Sequence, residues 1–280
     1  TYGEWGEGKG RSEEIIGNTL QKNGKRHDVI LATKFRWVVG DGPNDQGVSR
    51  HHVMHQVEES LRRLKTDYID LHQIHAPIRE VPIDETLRAL DDLIRAGKVR
   101  YIGTSNFSAW MIVEGLWTSD RLHLNRFVSE QSPYSMANRG LERDIVPMAR
   151  AHEIALLTWS PLWGGLLTGK YRRDRPLPDD ARFGFDPLKG IWDNHLEEQI
   201  YTLLDLLDTM AAEKECTVPQ LVLAWTIAQP AVTSAIIGPR TLAQLQENLG
   251  AMEVTIDDED RQRIDEIAPP GRALARLPGE

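Results

Sequence analysis

Short apolar runs and amphipathic helical patterns alternate along this chain, and this alternation limits its possible folds more than any other feature. Each run is apolar enough to form a strand that is buried on both faces, as strands of parallel sheets are. Repeated strand–helix units imply a parallel sheet with right-handed crossovers. The six predicted strands cover residues 29–34, 69–74, 99–104, 127–131, 155–159 and 234–237.

Helix signals follow the predicted strands. Ser49 stands where an N-cap would precede apolar residues at spacings of three and four, and Gly97 is a typical C-terminal stop. A short helix is predicted after Ser108, and polar, Gly-rich loops are predicted at 40–47 and 164–193. The other helices are predicted to start after Ser12 and Ser49 and to cover 83–96, 141–152, 195–212, 218–228, 242–251 and 257–267.

Six strand–helix units leave two architectures open at this point, an open doubly wound sheet and part of an eight-stranded barrel. No Gly-x-Gly-x-x-Gly motif follows a strand, which disfavours the open dinucleotide-binding sheet. The 280 residues fit one barrel domain of about 250 residues, and no linker or shift in composition divides them. We therefore expect a single domain over residues 1–280.

Composition disfavours several classes of function. The formal net charge of −9 argues against a general surface for nucleic acid or anionic membranes, and no run approaches the ~20 apolar residues of a membrane span. The single cysteine, Cys216, excludes an internal disulfide framework and fits a reducing, cytoplasmic environment. His51, His52 and His55 include a pair four residues apart, but a third ligand is not evident, so we expect a solvated helix face and no metal.

Ionisable side chains stand at the ends of two predicted strands. Lys34 ends the first strand and His75 follows the second, and residues at the C-terminal ends of barrel strands face the active site. Tyr2 stands near the start of the chain, just before a Gly-rich turn. A phenol, an amine and an imidazole that converge on one pocket suggest proton transfer to a carbonyl oxygen.

A series of short motifs resembles the aldo-keto reductase superfamily, in the branch that includes bacterial reductases and potassium-channel β subunits. The matches occur in the family's order and span nearly the whole chain. They are Tyr2-Gly3 and the segments 10–17, 32–34, 60–64, 67–71 with His75, 97–103, 105–106, 159–162, 165–171, 238–240 and 244–248.

The resemblance implies an α/β fold, the (β/α)8 TIM barrel, with its first two strands expected before residue 1. Six strands counted independently agree with that expectation. The family's catalytic set is Asp, Tyr, Lys and His, and the last three correspond here to Tyr2, Lys34 and His75. The family's Asp would fall before residue 1, and no Asp in this sequence matches its position.

The resemblance also implies the chemistry of these residues. A nicotinamide delivers hydride to a carbonyl carbon, and the carbonyl oxygen then needs a proton and nearby donors. Tyr2 is expected to be the general acid, and the cation of Lys34 would lower the high pKa of its phenol. His75 would orient the carbonyl or share in proton transfer.

The implied cofactor is NADPH, with NADH possible. Trp159 would stack on the nicotinamide ring, although it could instead be a core residue that caps the barrel. Arg240 can form a fork to a 2′-phosphate, whereas Gln244 stands where many relatives have a second Arg. The complete set of expected cofactor residues is Ser105, Asn106 and Gln131 at the carboxamide, Trp159 at the ring, Ser160, Leu162, Gly165 and Lys170 along the pyrophosphate, and Gly238, Arg240, Gln244, Glu247 and Asn248 at the adenosine.

Three functions remain open from the sequence. The leading one is an NADPH-dependent reductase of a small-molecule carbonyl substrate. The second is a cofactor-binding, redox-sensing regulatory subunit with little turnover, and the third is a degenerate or truncated barrel without activity. Trp37, Trp163 and Trp192 either line the substrate pocket or anchor loops. The sequence does not determine whether the protein is a monomer or a homo-oligomer.

Overall fold

The computed structural model describes Gly8, residues 10–172 and residues 198–275. The described chain forms two compact units, the first ending at Gln131 and the second beginning at Ser132. Parallel strands alternate with helices in both units, and the described residues contain the six strands predicted from the sequence. This alternation is that of a (β/α) barrel, as the fold prediction requires.

The first unit builds a parallel sheet from consecutive strands. Its elements are α1 (Arg11–Asn23), a 3₁₀ helix (Arg26–Asp28), β1 (Ala32–Phe35), α2 (Arg50–Leu64), β2 (Ile69–Ile74), α3 (Ile83–Arg95), β3 (Val99–Ser105), α4 (Ala109–Leu122) and β4 (Phe127–Pro133), whose last two residues belong to the second unit. Within this unit β1 pairs with β2, β2 with β3, and β3 with β4, always in parallel. The C-terminal ends of these strands therefore lie at one edge of the sheet.

The second unit pairs two strands in parallel and surrounds a large apolar core. Its elements are α5 (Ile145–His152), β5 (Ala155–Trp159), α6 (Glu198–Glu213), α7 (Val218–Ile227), β6 (Val232–Ile236), α8 (Leu242–Leu249), α9 (Asp258–Ile267) and the 3₁₀ helices Gly140–Arg143, Trp163–Thr168 and Gly250–Glu253. Strand β5 pairs with β6. The core includes Trp163 and Trp225, and the Trp225 ring stacks on Tyr134 with ring centroids 5.5 Å apart.

Several predicted boundaries are wrong by a few residues. Strand β1 begins at Ala32, not at residue 29, because the preceding chain turns through a 3₁₀ helix and the N–H of Leu31 donates to the Asp70 carboxylate (2.9 Å). Helix α1 begins before Ser12, with Gly10 as its N-cap in the left-handed region (φ 79°). Helix α4, predicted to be short, has 14 residues. Ser49 caps α2 as predicted and accepts from the N–H of His52 (3.4 Å).

Helix α1 packs closely on the end of α2 through a glycine. Gly17 is the buried residue of α1, and a Cβ placed there would lie 2.5 Å from the carbonyl oxygen of Arg63 and 2.7 Å from the backbone of Leu64. Backbone atoms cannot move aside as a flexible side chain can. The absence of a side chain at Gly17 therefore sets the distance between the two helices.

We predict that Gly17→Ala lowers the free energy of unfolding by about 1–3 kcal/mol, the usual cost of overpacking, because α1 must move away from α2. Urea denaturation measures this change. Asn18→Ala, at an exposed position of the same helix, is the matched control and should have little effect. A Gly17→Ala protein as stable as the wild type would contradict the packing described here.

Candidate functional site

Two of the predicted catalytic residues line one cavity in the first unit. Lys34 is the third residue of β1, and His75 directly follows β2. The N–H of His75 donates to the carbonyl of Phe35 (3.0 Å), so the pairing of these strands continues beyond β2 and fixes both residues at the same edge. Trp37 from the following loop and Glu13 from α1 line the same cavity.

Burial changes the protonation of both groups. It lowers the pKa of Lys34 from 10.5 to about 8, so the amine is a cation that releases its proton in a mildly alkaline solution. Burial, reinforced by the positive charges of Lys34 and Arg36, lowers the pKa of His75 to about 3. His75 is therefore a neutral imidazole at neutral pH, and such a ring has one N–H donor and one acceptor.

The carboxylate of Glu13 on α1 connects β1 with α2. Glu13 accepts a hydrogen bond from the hydroxyl of Thr33 (2.6 Å) and forms an ion pair with Nε of Arg63 on α2 (2.7 Å). Both charged side chains are largely buried, and Thr33 immediately precedes Lys34. The pair thus fixes the position of β1 next to the cavity. Glu13 belongs to one of the family-like motifs, and its contact with Thr33 depends on how α1 packs against β1.

The loop after β1 brings an aromatic ring to His75. The Trp37 and His75 rings meet edge to face, with centroids 5.9 Å apart, and the guanidinium of Arg36 lies 3.9 Å from the Trp37 centroid. Arg36 has a positive φ of 128°, a strained conformation for this residue type, and its carbonyl accepts from the N–H of Gly47 (2.7 Å). This turn places Trp37 in the wall of the cavity.

Three predicted cofactor residues of the first unit form a hydrogen-bonded group at the ends of β3 and β4. The hydroxyl of Ser105 donates to the carbonyl of Gln131 (2.8 Å), and so does the N–H of Asn106 (3.1 Å). The amide nitrogen of Asn106 donates to the carbonyl of His75 (3.1 Å) and to the Ser105 hydroxyl (3.0 Å). Asn106 has left-handed backbone geometry (φ 60°), so its bonds connect His75 with this group.

In the second unit, predicted cofactor residues follow β5 in a tight turn. Trp159 ends β5, and Ser160 has a positive φ of 55° while its carbonyl accepts from the N–H of Trp163 (2.8 Å). The N–H of Gly165 (φ 101°) donates to the carbonyl of Leu162 (2.9 Å). Lys170 lies further along, with its amine 5.9 Å from the Tyr171 centroid. Trp163 is buried in the apolar core, which favours its role as a loop anchor.

The remaining predicted cofactor residues surround the start of α8. Thr241 caps this helix by accepting from the N–H of Gln244 (3.2 Å), and the side-chain oxygen of Gln244 accepts from the N–H of Arg240 (2.8 Å). Arg240 and Gly238 are exposed, and among the described residues no atom beyond the neighbours of Gly238 in the chain lies within 4 Å of a Cβ built there. Further along α8, the carbonyl of Glu247 accepts from the Gln220 amide (3.0 Å) and Asn248 is buried.

The histidines and the cysteine that the sequence offered as further candidate sites show no sign of metal binding or reactivity in the described residues. His52 is buried and bonds through Nδ1 to the carbonyl of Asn44 (2.9 Å). In the part of the chain that the structure describes, no three His, Cys, Asp or Glu residues are grouped to hold a metal. Burial raises the pKa of the Cys216 thiol, which makes it less reactive. Tyr2 and Trp192 lie outside the described residues.

The parallel strand–helix repeat and the ionisable residues at its strand ends define an α/β protein with a candidate enzyme site. Comparison with known proteins gives the family. The model of the aldo/keto reductase family matches residues 1–269, and the chain belongs to this family, whose fold is the (β/α)8 barrel.

The relatives include both enzymes and channel subunits. A probable voltage-gated potassium channel subunit beta from Arabidopsis thaliana is 39% identical over 247 residues, covering 88% of this chain and 75% of the relative. The uncharacterized oxidoreductase YrpG of Bacillus subtilis is 37% identical over 273 residues, 96% of this chain and 80% of the relative. The aldo-keto reductase YhdN of the same species is 34% identical over 264 residues, which cover 93% of this chain and 76% of the relative. Family and relatives support an oxidoreductase with carbonyl-reductase-type activity.

Among the described residues, none of the helices has the length and apolar character that crossing a membrane requires.

We predict that the buried Lys34 amine makes stability depend on pH. Between pH 8 and 10.5 the unfolded chain keeps a proton that folded Lys34 has released, so the free energy of unfolding should rise with pH. Relative to Lys34→Met, the wild type should gain up to about 3 kcal/mol across this window. Urea denaturation at several pH values measures the difference.

Lys22→Met, which removes an exposed lysine of α1, is the control and should follow the wild type at every pH. If Lys34→Met also followed the wild type across the window, the amine of Lys34 would titrate alike in the folded and unfolded protein, and its burial would not have the effect described.

Proposed function

We propose that this protein is an NADPH-dependent oxidoreductase that reduces a small aldehyde or ketone to an alcohol by hydride transfer, with Tyr2 as general acid. The observation that carries the proposal is the shared cavity of Lys34 and His75, in which burial gives one group a mildly alkaline pKa and keeps the other neutral. Membership of the aldo/keto reductase family supports the reaction class.

Each residue of the cavity has a chemical task in this proposal. The cation of Lys34 lowers the pKa of the Tyr2 phenol, so that the phenol can protonate the developing alkoxide. The neutral ring of His75 offers an N–H that binds the carbonyl oxygen before and during reduction. Trp37, whose ring contacts that of His75, forms an apolar wall for the substrate.

The described residues fit a nicotinamide cofactor, which supplies the hydride when bound. In the first unit, Ser105, Asn106 and Gln131 gather hydroxyl and amide groups that match a carboxamide, beside the carbonyl of His75. In the second unit, the open backbone at Gly238 and the side chain of the exposed residue Arg240 suit a phosphate, and Arg240 is the reason to prefer NADPH. We assign Trp159, Ser160, Leu162, Gly165 and Lys170 to the ring and pyrophosphate, and Gln244, Glu247 and Asn248 to the adenosine.

A second candidate function is a redox-sensing regulatory subunit with little turnover. The observation that favours it is the similarity to plant proteins named as probable potassium channel β subunits, at 39% and 36% identity. We prefer the enzyme because the cavity combines a lysine poised to titrate with a neutral histidine. We further propose one domain and a cytoplasmic location, on the family match across residues 1–269 and the single cysteine.

We predict that the purified protein oxidises NADPH, measured by loss of absorbance at 340 nm, in the presence of small aldehydes. Lys34→Met should lower kcat/KM by about 100-fold or more, because the general acid loses the cation that tunes it. Wild-type activity should fall above pH 8 as Lys34 loses its proton.

Lys22→Met should keep wild-type activity and serves as the control, since it removes the same charge from an exposed position. Tight NADPH binding without oxidation across an aldehyde panel would favour the regulatory subunit. Full activity of Lys34→Met would contradict the mechanism while leaving the reductase assignment open to another residue.

A further inference from the structure

The second unit contains a separate cavity that the proposed reaction does not use. It lies between β5, α5 and the segment that enters β6, and has a volume of about 60 Å³. Its walls are mostly apolar, with Leu141, Val146, Leu156 and Val232 among them. Since one water needs about 10–15 Å³ of such space, this volume suits only a ligand of a few non-hydrogen atoms.

A buried hydroxyl in this cavity has no partner. Thr158 is the fourth residue of β5 and is 1% exposed, yet its Oγ1 makes no hydrogen bond to any described residue. Buried polar groups in folded proteins are almost always hydrogen-bonded, because an unmade bond costs the full desolvation of the group. Thr158 lines the cavity, so a molecule inside it can supply the missing partner.

A cation at the same cavity also lacks a described partner. Arg150, in the last turn of α5, lines the cavity and makes no ion pair or hydrogen bond with the rest of the described chain. The one carboxylate among the lining residues, Glu142, is already engaged. It accepts from the Tyr134 hydroxyl (2.6 Å) and from Nε of Arg139 (2.8 Å). Arg150 is an exposed residue, and no described carboxylate pairs with it, so an anion that enters the cavity can bind its guanidinium.

We infer that this cavity binds a short aliphatic carboxylate. The carboxylate oxygens accept hydrogen bonds from the guanidinium of Arg150 and the hydroxyl of Thr158, and the alkyl chain occupies the apolar walls. A larger anion such as a nucleotide exceeds the enclosed space. All the residues of this site belong to the second unit and none is a proposed catalytic residue, so the inference stands whether or not the proposed reductase activity is correct.

Isothermal titration calorimetry with butanoate tests the inference on the intact protein. Butanoate should bind saturably to the wild type, whereas butanamide, which has the same shape without the charge, should bind at least tenfold more weakly. Arg150→Met should weaken butanoate binding at least tenfold. Arg143→Met removes the same charge from the preceding 3₁₀ helix outside the cavity, and should bind butanoate like the wild type.

Thr158 provides a second, independent readout. Thr158→Val has nearly the same shape without the hydroxyl, so it should bind butanoate several-fold more weakly while its ligand-free melting temperature stays equal or rises. Thr158→Ser keeps the hydroxyl and should retain binding. Lys34→Met should bind normally, which distinguishes this cavity from the proposed catalytic one.

Three results would overturn the inference. Butanoate that fails to bind saturably would show that the cavity takes water only. Equal binding by Arg150→Met and Arg143→Met would mean that Arg150 does not hold the anion. A lower ligand-free melting temperature of Thr158→Val would show that the hydroxyl already has a partner in the free protein.

Discussion

The burial of the Lys34 amine at the end of β1 is the constraint on which the account of the site depends. Removing a cation from water costs free energy. The pKa of Lys34, lowered by burial to about 8, reflects this cost. The surrounding structure must therefore hold the strand firmly. Pairing of β1 with β2 and the Glu13 carboxylate, bound to both Thr33 and Arg63, provide that support. The close contact of Gly17 with α2 keeps Glu13 within reach.

The same charge determines the state of its neighbour. His75 is neutral because it is buried and because Lys34 adds positive charge nearby. At neutral pH the cavity therefore holds one cationic amine and one neutral imidazole. Asn106 extends this arrangement, since its side chain joins the carbonyl of His75 to the Ser105 hydroxyl at the end of β3. A change at any of these strand ends should consequently affect substrate and cofactor binding together.

Sequence patterns predicted the strands well because short continuous apolar runs are typical of strands that are buried on both faces of a parallel sheet. Lys34 and His75 were found because they stand at the ends of two such runs. The start of β1 was predicted three residues too early, because apolar content alone does not reveal the 3₁₀ helix before it. Glu13 and Thr33 were missed as a supporting pair, since they are 20 residues apart and meet only after α1 folds against β1. The unpartnered hydroxyl of Thr158 likewise has no sequence signal, because hydrogen-bond satisfaction depends on tertiary contacts.

Direct titration of Lys34 tests the central claim most closely. Reductive methylation with ¹³C-formaldehyde labels lysine amines, and comparison with Lys34→Met assigns the Lys34 resonance in the NMR spectrum. Its chemical shift, followed from pH 6 to 11, should give a pKa of about 8. A value near the ordinary 10.5 would show that the amine remains solvated, and would contradict both the buried cation and the role proposed for it.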